Sequence, residues 1–424
     1  MKIIKPFKSV GGALSVSGDK SISHRAVMLS AIAQGSTRIT NFLKGADCLA
    51  TIDCFGKLGA DISFENGGVI VKGKGLYGLK RYNGTLDAAN SGTTARLICG
   101  ILSGQKFSSM LSGDSSLQSR PMKRIIQPLR LMGAEISAKD GNYCPISIKG
   151  KNLSGIDYTL PVDSAQLKSC LLLAGLYAEG NTVIRENNPS RNHTELMLKA
   201  LGADIEVSSK VITISGGELK AVDYIEVPGD ISSAAYFIVL ALISGSGELL
   251  IKNVGNNLTR NGIIEVLKNM GGHIELLNIK NGIEPVCDIY VKASKLKGVT
   301  VSGGIIPYII DEIPILSVAA AYAEGTTVIS GAEELKYKET DRLEAISAEI
   351  SKCGVKIIKT DDGLIIEGSE DIKGAEFDSR FDHRIAMSAA VLAAFAKGES
   401  VIKNAQCVEI SYPHFFEDFF SVKK

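Results

Sequence analysis

A chain of 424 residues is too long for one ordinary hydrophobic core, so two domains are expected. A 45% hydrophobic and 22% charged composition is that of a globular protein, and a formal net charge of +1 excludes a general electrostatic field for nucleic acid. With 6% aromatics and no Trp there is no base-stacking platform, so any anion-binding site must be built locally.

The opening MKIIKPFKSV lacks the apolar stretch of a secretory signal, which points to a cytoplasmic protein. GDKSISHR (18–25) then leads into an almost wholly apolar run, and SHRAVMLSAIA reads as a buried helix stopped at Gly35. STRITNF alternates as a strand. CLATIDCFGKLG is predicted as a second helix ending at Gly59, and ADISFENGGVIVKG as a hairpin about Asn66-Gly67. Further along, apolar runs such as AAYFIVLALI (234–243) fall far short of the roughly 20 residues that span a bilayer. The eight cysteines are scattered, with no CxxC pair, which argues for reduced thiols and against a metal site.

This helix–strand–helix–hairpin pattern recurs. A helical run ending in Gly before a β-rich segment appears six times, at Gly35, Gly104, Gly180, Gly247, Gly325 and Gly398. A second signature, KLGADI, LMGAEI, ALGADI, NMGGHI and KCGVKI, follows each of the first five in phase. A period near 70 residues is too long for a solenoid, so each repeat is a sub-domain and six make two three-unit halves. The expected domains are 14–227, and 1–13 with 228–424, joined near EVPGD (226–230) by a short hinge that permits closure on a ligand.

Polar clusters sit where each unit begins its first helix: GDKSISHR, AANSGTTAR, VDSAQLKS, PGDISSA, IIDEIP and FDHRIA. Helix N-termini offer unsatisfied N–H groups and a positive dipole end to anions. Lys20 and Arg25 oppose that dipole unless an anion compensates, so their placement suggests a polyanionic ligand. Ser21 and Arg25, spaced i, i+4, share a helix face. Simpler readings stand beside this one. Ser164, Asp230 and Asp382 fit ordinary N-caps, Asn90 to Thr94 a turn with a cap, and KETDRL (338–343) a solvated helix face. No P-loop or dinucleotide fingerprint is present.

Taken in order, GDKSISHR, NSGTTAR (90–96), Arg120-Pro121-Met122, Ser164-Ala165-Gln166, Asp311-Glu312, KETDR (338–342) and Asp382-His383-Arg384 closely resemble the 5-enolpyruvylshikimate-3-phosphate synthase family, in its class II bacterial form. The resemblance spans about residues 10–415. It implies a two-domain inverted α/β barrel of six βαβαββ units, three per domain, with the active site in the cleft between the domains. It also implies transfer of the enolpyruvyl group of phosphoenolpyruvate to the 5-hydroxyl of shikimate 3-phosphate, with release of phosphate, in aromatic amino-acid biosynthesis. By similarity, Lys20, Ser21, Arg25, Ser164, Gln166, Arg191, Asp311 and Lys338 hold shikimate 3-phosphate. Lys20, Gly92, Arg120, Gln166, Arg342 and Arg384 hold phosphoenolpyruvate. Lys338 and Arg342 are expected on one face of one helix, four residues apart. Asp311 is the implied base, with Glu339 and Lys20 as proton donors to the methylene carbon. The resemblance implies no cofactor, no metal, small-molecule substrates only and a monomer.

In some members a Lys precedes a Thr-Phe-Pro segment near the C-terminus, where this chain has Ile410-Ser411-Tyr412-Pro413. The related UDP-N-acetylglucosamine enolpyruvyl transferases look for Lys-Asn at Lys20-Ser21 and a Cys in the loop SGDSSLQSRPM (112–122), which has none. A non-catalytic anion-binding protein of the same fold would be expected to lose acid and base residues that are present here. RNA terminal-phosphate cyclase, with related units, would need a nucleophilic His and a basic face.

Overall fold

The computed structural model describes residues 1–424. The chain divides into two compact units, Gly18–Val227 and Met1–Ser17 with Pro228–Lys424.

In the Gly18–Val227 unit three repeats follow the order first helix, strand, second helix, hairpin. The first helices are Lys20–Ile32, Gly92–Ser103 and Ala165–Gly175. They are apolar nearly all round because they are buried nearly all round, as core helices are. Gly100 packs directly on the Cys170 backbone, leaving no room for a Cβ between two of these helices. Each repeat forms one small sheet. Ala33–Thr40 pairs antiparallel with Gly68–Lys74, which pairs with Asp61–Glu65. The hairpin turns at Asn66 and Gly67, both at positive φ, as a two-residue primed turn requires. The other two sheets repeat this, with a short parallel strand (Thr85–Asp87, Asp157–Thr159) on the open edge. In the first repeat that edge is filled by Leu219–Lys220 and Tyr224–Glu226, from the end of the unit.

Gly35 does not stop the first helix. The helix ends at Ile32, capped by Ala33 in an extended conformation, and Gly35 lies inside the next strand. Its φ of 123° favours glycine, and a Cβ there would come 3.0 Å from that of Ala221, so it serves the close approach of the edge strand.

The other unit builds its three repeats around helices Ile231–Leu242, Ile313–Ala321 and His383–Ala394, of which the first two are buried at every residue. Two of its sheets need the N-terminal residues. Val10–Ser15 runs parallel to Gly247–Gly255, and Lys2–Ile4 runs antiparallel to Ser400–Lys403. Lys2–Ile4 thus stands where the last repeat, which lacks the second glycine signature, has no hairpin of its own. No single helix in the chain is long and apolar enough to cross a membrane. All eight cysteines are buried thiols, and burial pushes Cys54 and Cys170 up to about 12, far from the range of a reactive thiolate.

Candidate active site

Five of the six first helices open on a side-chain cap. Asp19, Ser91, Ser164, Asp230 and Asp382 accept from the amides of Ile22, Thr94, Leu167, Ser232 and Arg384. The simple reading of Ser164, Asp230 and Asp382 as caps therefore holds, and it places their neighbours at the mouth of each helix.

In the Gly18–Val227 unit, Lys20 forms an ion pair with Asp47 in the first turn of helix Ala46–Lys57. The cation that looked misplaced at a helix N-terminus thus has an anion on the protein itself. Arg25, almost fully buried, is held on three sides: Nε donates to Thr194 Oγ1 at 2.7 Å, Nη1 to the Ser21 carbonyl at 2.9 Å and Nη2 to Ser169 Oγ at 2.8 Å. Those bonds fix the Lys20 helix to the helices carrying Ser164 and Thr194. Gln166 is pinned between Arg96 Nη1 (2.7 Å) and Thr93 Oγ1 (3.0 Å), which joins the Ser164 helix to the Gly92 segment. Arg120 lies on that segment too, donating to Asn90 Oδ1 at 2.6 Å and to Ser116 Oγ at 3.0 Å. Arg191, half-buried, follows Ser190 in a loop tied down by Glu186, which accepts from both the Ser190 amide and hydroxyl. Glu186 in turn pairs with buried Lys168, two residues after Gln166.

In the other unit, Asp311 gathers the expected cations. Lys338 Nζ lies 3.9 Å from its carboxylate, Arg342 Nη1 3.4 Å and Arg384 Nη2 3.8 Å, while Arg384 Nη1 donates to the Asp311 carbonyl at 2.9 Å. Glu339 meets Arg342 Nη2 at 2.5 Å. Lys338 and Arg342 do not share a helix. Asp341 caps helix Arg342–Ser351 by accepting from the Glu344 amide, so the helix starts after Lys338, which lies extended behind a 3₁₀ turn. They still converge, because both reach back to Asp311.

Arg342 is 1% exposed and Asp382 fully buried, with Nε to Oδ2 at 2.8 Å. Burial, and to a lesser extent the charge of Arg384, oppose the charge on Arg342; Asp382, Glu339 and Asp311 outweigh them and hold the guanidinium protonated. Asp382 also accepts from the Arg384 amide, so one carboxylate holds the Arg342 side chain and caps the helix that carries Arg384. Glu312 lies buried beneath them, accepting from Ser232, with Arg384 Nη1 at 3.9 Å. Asp47 and Thr194 had no local signal in the sequence, and Ser169 and Glu312, though inside the polar clusters, had none for their partners, which lie tens to more than a hundred positions away. Where some family members have a C-terminal Lys, this chain has Ile410, partly buried against the core, and two residues on Tyr412 is buried and donates to Asp418 at 2.7 Å.

This arrangement, cations at helix mouths with a carboxylate among them, suits small substrates carrying several phosphate and carboxylate groups. The family model for EPSP synthase (3-phosphoshikimate 1-carboxyvinyltransferase) matches residues 4–419. The chain belongs to the EPSP synthase family. Among curated EPSP synthase relatives it is 52% identical over 417 residues to the 3-phosphoshikimate 1-carboxyvinyltransferase of Thermoanaerobacter sp. (strain X514), covering 98% of each chain. It is 48% identical to that of Bacillus cytotoxicus, covering 100% of each. Among solved structures, an EPSP synthase from Acinetobacter baumannii superimposes with a TM-score of 0.89 at 43% identity, over 99% of this chain and 97% of that one. The fold is thus the two-domain α/β arrangement of EPSP synthase.

Within the EPSP synthase motif NSGTTAR, Gly92 has a specific steric reason. A Cβ there would lie 2.8 Å from Arg96 Nη1 and 3.6 Å from Arg120 Nη1. Gly92→Ala is expected to push these guanidiniums outward and raise KM for phosphoenolpyruvate roughly tenfold, about the worth of one strained polar contact. Steady-state kinetics with shikimate 3-phosphate saturating would show it, and an unchanged KM would remove Gly92 from that surface.

Proposed function

We propose that this chain transfers the enolpyruvyl group of phosphoenolpyruvate to the 5-hydroxyl of shikimate 3-phosphate, releasing phosphate and 5-enolpyruvylshikimate 3-phosphate. The observation that carries this is the match to the EPSP synthase family along residues 4–419, with Lys20, Arg120, Asp311, Lys338, Glu339, Arg342 and Arg384 all present and only the C-terminal Lys of some members missing. Ser21, Arg25, Ser164, Gln166, Arg191 and Lys338 hold shikimate 3-phosphate; Gly92, Arg120, Gln166, Arg342 and Arg384 hold phosphoenolpyruvate; Lys20 touches both.

In the first step the 5-hydroxyl oxygen attacks C2 of phosphoenolpyruvate while Asp311 takes its proton. Glu339, helped by Lys20, adds a proton to C3, which gives a tetrahedral intermediate. In the second step a C3 proton returns to Glu339 as the C2–O bond to phosphate breaks. Lys20, Arg120 and Arg384 stabilise the departing charge. Their side chains are partly exposed, whereas carboxylates beside them, Asp47 at Lys20 and Glu312 at Arg384, are buried. General acid–base groups supply about 10²–10⁴-fold each, so positioning two substrates and preorganised charge must supply the remainder. The enzyme acts in the cytoplasm as a monomer.

The test is phosphate release from phosphoenolpyruvate by purified protein. Release that depends on shikimate 3-phosphate, from a species sedimenting near 45.0 kDa, is expected. Release only with UDP-N-acetylglucosamine, or none, overturns the reading; a larger species overturns the monomer.

A further inference from the structure

His24 stands in the phosphate-binding motif, yet it is fully buried and faces away from solvent into the unit. Its Nδ1 lies 2.6 Å from Thr51 Oγ1, in helix Ala46–Lys57. Thr51 Oγ1 lies 2.7 Å from Thr94 Oγ1, and Thr94 Oγ1 donates to Ser91 Oγ at 2.8 Å. Thr51, Thr94 and Ser91 are also fully buried. One continuous chain of hydrogen bonds therefore runs from the Lys20 helix through a second helix to the cap of the Gly92 helix.

The chain has one direction. Each hydroxyl has a single proton. Thr94 spends its own on Ser91, with the Asp47 carbonyl a longer alternative at 3.5 Å, so either way its oxygen must accept from Thr51. Thr51 has then spent its proton, and must accept from an Nδ1–H of His24. Nε2 of His24 has no partner and is sealed from water, so a second proton there would have no acceptor. Burial, then the charges of Lys20 and Arg25, hold the imidazole well below its usual value, in keeping with a neutral ring.

We propose that His24 and Thr51 are positioning residues for phosphoenolpyruvate, fixing the Asn90–Thr94 cap through this one-way chain. The inference rests on the function proposed above. Asn90 is the platform on which Arg120 lies, and Gly92 bounds the space of Arg96 and Arg120. Movement of the cap therefore moves the phosphoenolpyruvate cations. Most of the shikimate 3-phosphate side has its own supports: Arg25 is clamped by Ser169 and Thr194, and the Arg191 loop is tied to Lys168 through Glu186; Gln166, which serves both substrates, is its one residue that leans on the cap, through Thr93 Oγ1. Loss of the chain should therefore act chiefly on phosphoenolpyruvate and far less on shikimate 3-phosphate.

The test compares variants that keep or remove the donors. Thr51→Val keeps the shape and deletes the hydroxyl; Thr51→Ser keeps the hydroxyl. His24→Leu deletes the donor; His24→Asn carries an amide nitrogen at the position of Nδ1. Thr51→Val and His24→Leu are expected to raise KM for phosphoenolpyruvate roughly tenfold, the scale of one buried hydrogen bond with an orphaned partner, and KM for shikimate 3-phosphate by less than about twofold. Thr51→Ser and His24→Asn are expected to stay within about threefold of the parent in both. A merely structural role would lower the melting temperature and move both constants together, and that result overturns the proposal. So does an unchanged KM in a folded Thr51→Val or His24→Leu protein, or failure of Thr51→Ser and His24→Asn to restore it. If only one of the apolar variants folds, it carries the comparison with its own conservative partner; if neither folds, the chain is needed for folding itself and the selective role is overturned. Parent protein without shikimate 3-phosphate-dependent release overturns the reading beneath it; active parent with unselective variants overturns the positioning role alone.

Discussion

Asp311→Asn is expected to lower kcat by about 10²–10⁴-fold while both KM values stay within about threefold. Asn keeps the size of the side chain and one acceptor oxygen, but cannot take up the proton of the attacking hydroxyl. The neighbours explain why binding survives. Lys338, Arg342 and Arg384 all lie within 4 Å of the carboxylate, and their substrates are anions. Replacing a negative neighbour by a neutral one leaves those cations in place with less competition for their charge, so anion affinity is preserved or raised. Pre-steady-state measurement of phosphate release with both substrates saturating separates chemistry from product release. A kcat within threefold of the parent would remove Asp311 from the role of base. A large rise in both KM values would make it a binding group instead.

The second large effect concerns Arg342. Arg342→Met is expected to cost about 3–5 kcal/mol of folding stability as well as activity, because it deletes the cation at the centre of a buried cluster. Asp382 would remain fully buried with no guanidinium opposite it, and Glu339 and Asp311 would lose their shared partner. Urea unfolding of the unit that carries it, followed by its own far-ultraviolet signal or by hydrogen exchange in helix His383–Ala394, reads the loss. The double variant Arg342→Met with Asp382→Asn should recover part of it, since the orphaned charge goes with the second substitution. Equal stability of Arg342→Met and the parent would mean that water reaches Asp382, contrary to its burial. Arg384→Met, whose guanidinium is more exposed, should cost much less stability for a similar loss of activity.

What the sequence made legible, and what it hid, follows from the range of the interactions. The caps at Asp19, Ser91, Ser164, Asp230 and Asp382 and the turn at Asn66-Gly67 are local chemistry, decided within three or four residues, and periodicity found the helices that follow. Family resemblance supplied the acid, base and cations. The i, i+4 spacing predicts one helix for Lys338 and Arg342 because spacing alone ignores a capping Asp between them; Asp341 takes the Glu344 amide and starts the helix at Arg342, so Lys338 lies outside it. Gly35 was read as a stop because glycines follow helices, but here the requirement comes from a strand arriving from residue 221. Asp47 and Thr194 could not be found at all, and the partners of Ser169 and Glu312 could not be read from the clusters that contain them, since nothing near them in sequence announces a partner that only the tertiary fold brings close.

The first seventeen residues have a consequence for how the protein is made. Lys2–Ile4 and Val10–Ser15 are synthesised well before their partner strands, Ser400–Lys403 and Gly247–Gly255. At about 5–20 residues per second, the last of those partners is synthesised some tens of seconds later. Meanwhile the whole Gly18–Val227 unit, whose sheets close among its own residues, has emerged between the two halves of the other. Birth order and completion order are therefore reversed: the unit begun before Gly18–Val227 is finished after it, and it is finished by recruiting a strand made almost four hundred residues earlier.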